Sequence, residues 1–396
     1  MNPLWQPLAV FAVVALAIGF RFIPTLRGYQ FTAWIIAAVT AGMIYPAQLL
    51  NVGGLDMRSK WLILLVVQAV MFGMGTQMKL ADFAGVIKMP WGVFVGVFGQ
   101  FTIMPLVGFA LTKTFHFDPE IAAGIILIGS CSAGLASNVM AYLAKANLAL
   151  SITMTSVTTM LAPIMTPMWM KLLVDESVEV KAFNMMMEII KMVIVPIGAA
   201  LLHDYLTFAS ARGRRIVLVM AGAGSVWLAF LAFGGWSWIE AQVGANALPW
   251  IGVAGSLFGA IVVGTAYHHL ILFLPNLEKL MPVASMVGIV YFTTVTTAAG
   301  RDNLLKIGIL LFIAAALHNT FGYVLGYWLA RACKLDKNSA RTVAFEVGLQ
   351  NGGMASGIAG ALGKLGTMGL AAAIFSPWMN VSGSILANYW RKRPPK

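Results

Sequence analysis

The chain has 396 residues, 60% hydrophobic and 10% charged, with a mean hydropathy of +0.84 and a net charge of +12. Soluble domains run at about 25% charged, so a soluble fold is excluded. Apolar runs long enough to cross a hydrocarbon core of about 30 Å recur along the chain. The composition reads as a polytopic α-helical membrane protein, since a transmembrane barrel would show short alternating segments. The basic residues fall in loops between spans, and that placement argues against nucleic acid as a partner.

Taken in order, the apolar runs predict spans at 4–21, 31–47, 59–78, 90–112, 120–143, 147–170, 182–204, 214–238, 247–274, 279–299, 304–330, 340–361 and 366–390. The first run has no basic residue before it and no small-x-small cleavage site, so it is read as a retained span rather than a signal peptide. With the C-terminus placed in the cytoplasm, inside loops hold about two basic residues for each one outside, as the positive-inside rule expects. Arg27 counts among the inside residues, and the tail from Arg391 to Lys396 reads as a cytoplasmic anchor. No segment reads as a soluble domain. Cys131 and Cys333 give no disulfide framework.

Two spans are poor plain helices. The one at 340–361 carries Glu346, Gln350, Asn351 and many glycines. A carboxylate at mid-membrane costs about 2.5–3.5 kcal/mol on insertion scales, and each interior Gly about 1 kcal/mol relative to Ala. The span at 120–143 contains Gly129, Ser130, Ser132, Gly134, Ser137 and Asn138. Both are small, polar and interrupted around an asparagine, and each comes second to last in its half once the first span and the 214–274 pair are set aside. Matched interrupted spans are the sequence pointer to a transporter binding site.

Glu346 has no basic residue three or four positions away, unlike Glu188, which has Lys191 on the same helix face. An unpaired intramembrane carboxylate faces a cation, a cavity or a distant positive group, or stays protonated. One carboxylate among neutral oxygens suits Na⁺ better than a divalent ion, whose sites gather several carboxylates. Neutral oxygens are at hand in Ser137, Asn138, Ser151 and Thr155, the last two sharing a helix face. Gln100 is a further mid-span amide. His318, next to Asn319, reads as a buried, hydrogen-bonded histidine and Met185 to Met187 as core filler. Glu240 and His268-His269 read as interfacial or structural rather than catalytic, with nothing paired to them at metal-ligand spacing.

Ala136-Ser137-Asn138, Tyr142, Lys145, Asn147, Ser151, Thr155 to Thr159, Pro163, Thr166-Pro167 and Phe345-Glu346 with Gln350-Asn351 together resemble the bile acid:sodium symporter family. Phe72 to Gly75, Gln100 to Pro105 and His318-Asn319 with Gly322 and Gly326 fit the same pattern. The resemblance covers about 31–205 and 278–390. It implies an all-α membrane fold of two inverted five-helix repeats, arranged as a panel and a core, with two unwound helices crossing in the core. Those two would be the spans at 120–143 and 340–361. The chain then divides into an extra span within 1–30, a first repeat within 31–206 and an inserted helical pair at 207–277. From 278 to 396 come the rest of the second repeat, which begins near 182, and the tail.

Carried over residue by residue, the resemblance implies a first sodium site at Ser137, Asn138, Ser151, Thr155 and Glu346. A second would use Gln100, Glu346 and Gln350 with backbone oxygens of Val347 and Leu349. Leu135, Ala136, Asn138 and Asn351 would face the substrate, and Leu135 departs from the small polar residue usual in the family. The implied function is sodium-coupled symport of an organic anion in a bacterial inner (plasma) membrane, without enzymatic activity and with no cofactor beyond the transported Na⁺. The rival expectations are a proton-coupled or efflux carrier on the same fold and a membrane sensor that binds without transporting.

Overall fold

The computed structural model describes residues 5–23, 30–244 and 247–393. Arg27, expected inside, and Pro394, Pro395 and Lys396 of the expected anchor lie outside these residues. All thirteen segments read as spans are helical within the described residues. The chain begins with α1 (Trp5–Gly19), α2 (Gln30–Ile44) and α3 (Pro46–Leu50), then a two-stranded antiparallel hairpin of β1 (Asn51–Val52) and β2 (Leu55–Asp56), which no apolar pattern announced. There follow α4 (Lys60–Gly75), a 3-10 turn, α5 (Gly85–Lys88) and α6 (Pro90–Phe115). The first broken span is α7 (Pro119–Ser130) and α8 (Leu135–Leu143), followed by α9 (Leu148–Leu173). A π-turn at Ile190–Ile194 joins α10 (Ala182–Ile189) to α11 (Val195–Phe208). The block expected as an inserted pair consists of α12 (Ala211–Phe230), kinked through Gly234 into α13 (Trp236–Gln242), and α14 (Leu248–Phe273). The chain closes with α15 (Asn276–Ala299), α16 (Arg301–Ala332), the second broken span α17 (Lys337–Gly348) and α18 (Gly352–Ala361), and α19 (Met368–Arg391).

Among the described residues, eight helices are long and apolar enough to cross a membrane alone. The count rises to nine if the bent pair Lys60–Gly75 and Leu80–Lys88, turned by 67°, is one span. The two broken spans fall outside that count because neither half is long enough by itself.

The helices pack in two groups. In one, α15 lies on α2 and α4, and α4 lies on α11, with the Ser285 hydroxyl donating to the Val70 carbonyl at 2.9 Å. In the other, α6 and α16 flank the broken spans, with α9 and α19 closing the bundle. The groups meet where α18 packs on α4, and a cavity of about 410 Å³ between them is lined by Met170, Met185, Glu188, Ile358 and Lys364 among others. The block from α12 to α14 attaches to the first group through α14 on α11. As the sequence implied, Lys191 pairs with Glu188 across three residues, and Met185 and Met187 are buried. His318 is buried, with Nε2 at 2.9 Å from the Met104 carbonyl. His268 meets His203 of α11, Nδ1 to Nδ1, at 3.1 Å. That contact joins residues 65 apart in sequence, so no spacing rule would find it.

Candidate functional site

The two broken spans cross at their breaks. Cys131 is extended after α7, and Leu349 is extended after α17. Between the helix halves the two short extended segments pair antiparallel at Ala133 and Gln350. The Gly134 amide donates to the Leu349 carbonyl at 3.0 Å, and the Asn351 amide to the Ser132 carbonyl at 2.9 Å. A side chain at Gly134 would bring its Cβ within 2.9 Å of the Gln350 carbonyl oxygen, so only glycine permits this approach.

Hydrocarbon offers no water to a broken helix, so each freed backbone group needs a protein partner. Side chains supply them. Thr166 donates to the Ser130 carbonyl at 2.7 Å, Gln100 to Cys131 at 2.9 Å, Gln350 to Val347 at 2.7 Å and Asn319 to Gly348 at 2.8 Å. Asn351 caps α18 by accepting from the Met354 amide at 3.0 Å. The crossing brings together the positive N-terminal ends of α8 and α18 and the negative C-terminal ends of α7 and α17.

Beside this crossing sits Glu346, in the last turn of α17 and fully buried. The Ser151 hydroxyl donates to its Oε1 at 2.5 Å, and the Thr155 hydroxyl approaches Oε2 at 2.9 Å and Oε1 at 3.1 Å. The same two hydroxyls lie 2.8 and 3.2 Å from Asn138 Oδ1. Ser137 Oγ is 3.4 Å from Thr155 Oγ1, with its own proton directed to the Gly134 carbonyl at 2.7 Å. Ser151 and Thr155 therefore have one proton each to share among Asn138 Oδ1 and both carboxylate oxygens. No basic side chain forms an ion pair with Glu346 among the described residues. Removing an ion from water costs several kcal/mol even after relaxation, and neutral hydroxyls alone do not cancel its charge. With the carboxylate ionised, this oxygen cluster is short of protons and carries an uncompensated negative charge, which fits a small hard cation. No group of three or more His, Cys, Asp or Glu side chains fit to hold a metal ion occurs among the described residues.

All five residues of the first expected set thus meet. The second set is adjacent and differently arranged. Gln100 Nε2 donates to Gln350 Oε1 at 2.8 Å, while Gln100 Oε1 is buried with no hydrogen-bond partner among the described residues. No hydrogen bond joins Glu346 to Gln100 or Gln350 among the described residues; its carboxylate bonds lie with Ser151 and Thr155. Of the residues expected to face substrate, Leu135, Ala136 and Asn138 are partly exposed in the first turn of α8. Asn351 is only 3% exposed and serves as the α18 cap, with Nδ2 at 3.8 Å from Met74 Sδ. Sequence reasoning assigned no role to Thr166 or Asn319; their signal was a polar side chain inside an apolar run.

A sequence profile described as the Sodium Bile acid symporter family matches residues 63–264. An uncharacterized sodium-dependent transporter of Bacillus subtilis, YocS, is 32% identical over 95% of this chain and 95% of its own. A probable chloroplastic sodium/metabolite cotransporter of Arabidopsis thaliana, BASS1, is 26% identical over 95% of this chain and 77% of its own. The human ileal sodium/bile acid cotransporter is 29% identical over 72% of this chain and 65% of its own. Among solved structures, the sodium proton antiporter MjNhaP1 from Methanocaldococcus jannaschii aligns with a TM-score of 0.50 at 11% identity over 98% of this chain and 99% of its own, a likeness of fold alone.

Proposed function

The chain belongs to the sodium bile acid symporter family, a family of membrane transporters, and from that premise we propose that it couples sodium entry to uptake of an organic anion by alternating access. The observation that carries this is the oxygen cluster at Glu346, where hydroxyl protons fall short of the acceptors and the carboxylate has no cationic partner among the described residues. Sodium fills that deficit. The first site is Ser137, Asn138, Ser151, Thr155 and Glu346. The second uses Gln100, Glu346 and Gln350 with the Val347 and Leu349 carbonyls. The unpartnered Gln100 Oε1 supports it.

The anion binds at the N-terminal ends of α8 and α18, whose free amides and dipoles favour negative charge. Asn138 links the two events, since its Oδ1 belongs to the ion cluster and its residue borders the partly exposed face of α8. Two Na⁺ per monoanion move one net charge inward, worth about 2.3 kcal/mol per 100 mV. The helix groups correspond to a panel and a core, built from repeats within 31–206 and from about 182 to 396, with 207–277 inserted. The C-terminus lies in the cytoplasm of a bacterial plasma membrane, an orientation supported by the two-to-one bias of basic residues.

Reconstitution in proteoliposomes with an imposed sodium gradient, screened against bile-acid-like, pantoate-like and keto-acid-like anions, tests this. Glu346→Gln should abolish sodium-dependent uptake in a protein that remains folded. Full activity in that variant would sink both sodium sites. Uptake that follows pH and ignores sodium at fixed pH would identify a proton-coupled carrier. Ligand binding in detergent without accumulation in vesicles would identify a sensor.

A further inference from the structure

We propose that Asn319, backed by Ser382 and Tyr323, is a positioning residue for the second sodium site: by fixing the Gly348 carbonyl against α16 it aims the neighbouring Val347 and Leu349 carbonyls at the ion. The inference rests on the assignment of that site to the α17 break.

Three consecutive carbonyls leave the broken end of α17, each with a different donor. Val347 accepts from Gln350 Nε2 at 2.7 Å, Gly348 from Asn319 Nδ2 at 2.8 Å and Leu349 from the Gly134 amide at 3.0 Å. The outer two donors belong to the crossing itself and travel with it. Asn319 stands on α16, an unbroken helix of 32 residues, and it is fully buried. Among the described residues, it is the one side chain outside the two broken spans that hydrogen-bonds this run of carbonyls. A carbonyl oxygen carries two lone pairs, so Val347 and Leu349 each keep one for a cation while Gly348 is turned away towards α16.

The amide of Asn319 is itself held. Its Oδ1 accepts from the Ser382 hydroxyl of α19 at 2.6 Å, and the Tyr323 hydroxyl, one turn further along α16, lies 3.1 Å from Ser382 Oγ. Oδ1 is thereby kept on the hydroxyls and Nδ2 on Gly348. The seam has no slack. A Cβ at Gly322 would fall 2.8 Å from the Gly348 Cα, and one at Gly348 would fall 2.2 Å from the Tyr323 ring. A small shift of α16 is therefore transmitted to the Gly348 peptide plane, and rotating that plane redirects the carbonyls beside it.

A merely structural Asn319 would lower stability alike at every sodium concentration, whereas a positioning residue changes how the protein answers sodium. The experiment compares wild type, Asn319→Leu and Ser382→Ala by sodium-dependent uptake in proteoliposomes and by melting temperature across a sodium titration at constant ionic strength. Asn319→Leu should raise the half-saturating sodium concentration by about tenfold and lower the Hill coefficient from near two towards one. Ser382→Ala should shift both in the same direction by less. An Asn319→Leu protein that melts lower at all sodium concentrations but keeps the wild-type midpoint and Hill coefficient overturns the proposal. Should Asn319→Leu not fold, an unchanged midpoint in Ser382→Ala overturns it equally. A wild type that ignores sodium would instead refute the sodium reading on which the proposal stands.

Discussion

Of the two broken spans, the second is buried without interruption from residue 339 to residue 360, whereas α8 of the first leaves Val139 53% and Tyr142 68% exposed, with Leu135, Ala136 and Asn138 partly so. Their packing differs accordingly. α18 is wedged between α19 and the first helix group, touching α4, α10 and α15. α8 packs on α9, α17 and α19, all within its own group. The same device, a helix broken around an asparagine, is thus packed on every side in one place and leaves side chains exposed in the other. Under the alternating access proposed above, these would be the closed and open ends of one pathway. The exposed residues of α8 lie on the side towards Lys145, which is cytoplasmic in the proposed orientation.

The contrast is broken most severely at α18. Gly353, Gly357 and Gly360 face Val70, Val67 and Ile63 of α4, and a Cβ at Gly357 would come within 2.4 Å of Val67 Cγ2. Overpacking of this kind costs about 1–3 kcal/mol, enough to force the groups apart or trap one arrangement. Gly357→Val should reduce transport at least about tenfold by that cost, and adding Val67→Ala should restore much of it by returning the space. A Gly357→Val carrier of normal rate would mean that this seam does not stay closed during any limiting step.

How much of this was legible in the chain follows the range of each interaction. The helices were readable because apolar runs are local, and both breaks were readable because glycines and amides inside such runs are costly wherever they pack. The cluster of Ser137, Asn138, Ser151, Thr155 and Glu346 came from polar residues too numerous for a plain span, together with a family resemblance that joined α8 to α17. What stayed hidden depends on distant partners. Asn351 was expected at the substrate and instead caps α18. The difference in exposure between α8 and α18 is set by which group of helices each one meets, and two similar strings of small residues carry no trace of that. Asn319 had a visible anomaly, an amide in an apolar helix, but its target is a carbonyl 29 positions away.

A middle-sized effect is expected where the two broken spans are bridged. Thr155 on α9 stands between Asn138 of α8 and Glu346 of α17 and bonds to both. Thr155→Ala removes one oxygen and one proton from the cluster while leaving the carboxylate. A hydrogen bond to a charged group is worth about 1.5–3 kcal/mol, so the half-saturating sodium concentration should rise by about tenfold or more, with the maximal rate less affected. An unchanged sodium dependence would remove Thr155 from the first site and leave the bridge to Ser151 alone.

The smallest functional effect, and the sharpest on geometry, belongs to Val139. It makes no part of the ion cluster, and its exposure is what separates α8 from α18. Thiol reactivity follows access and thiolate character, and a buried thiol such as Cys131 is inert by burial. In a Cys333→Ser background, Val139→Cys should transport within about twofold of wild type, an exposed substitution whose side chain takes no part in the ion cluster. It should react with a membrane-impermeant thiol reagent supplied from the cytoplasmic face, and sodium with substrate should slow that labelling as access alternates. Ala359→Cys, buried in α18, should resist the same reagent. Labelling of Val139→Cys from the opposite face alone would invert the orientation assigned to the pathway. Equal labelling at both positions would mean that the burial of α18 is not a standing difference between the two broken helices but one phase of a motion they share.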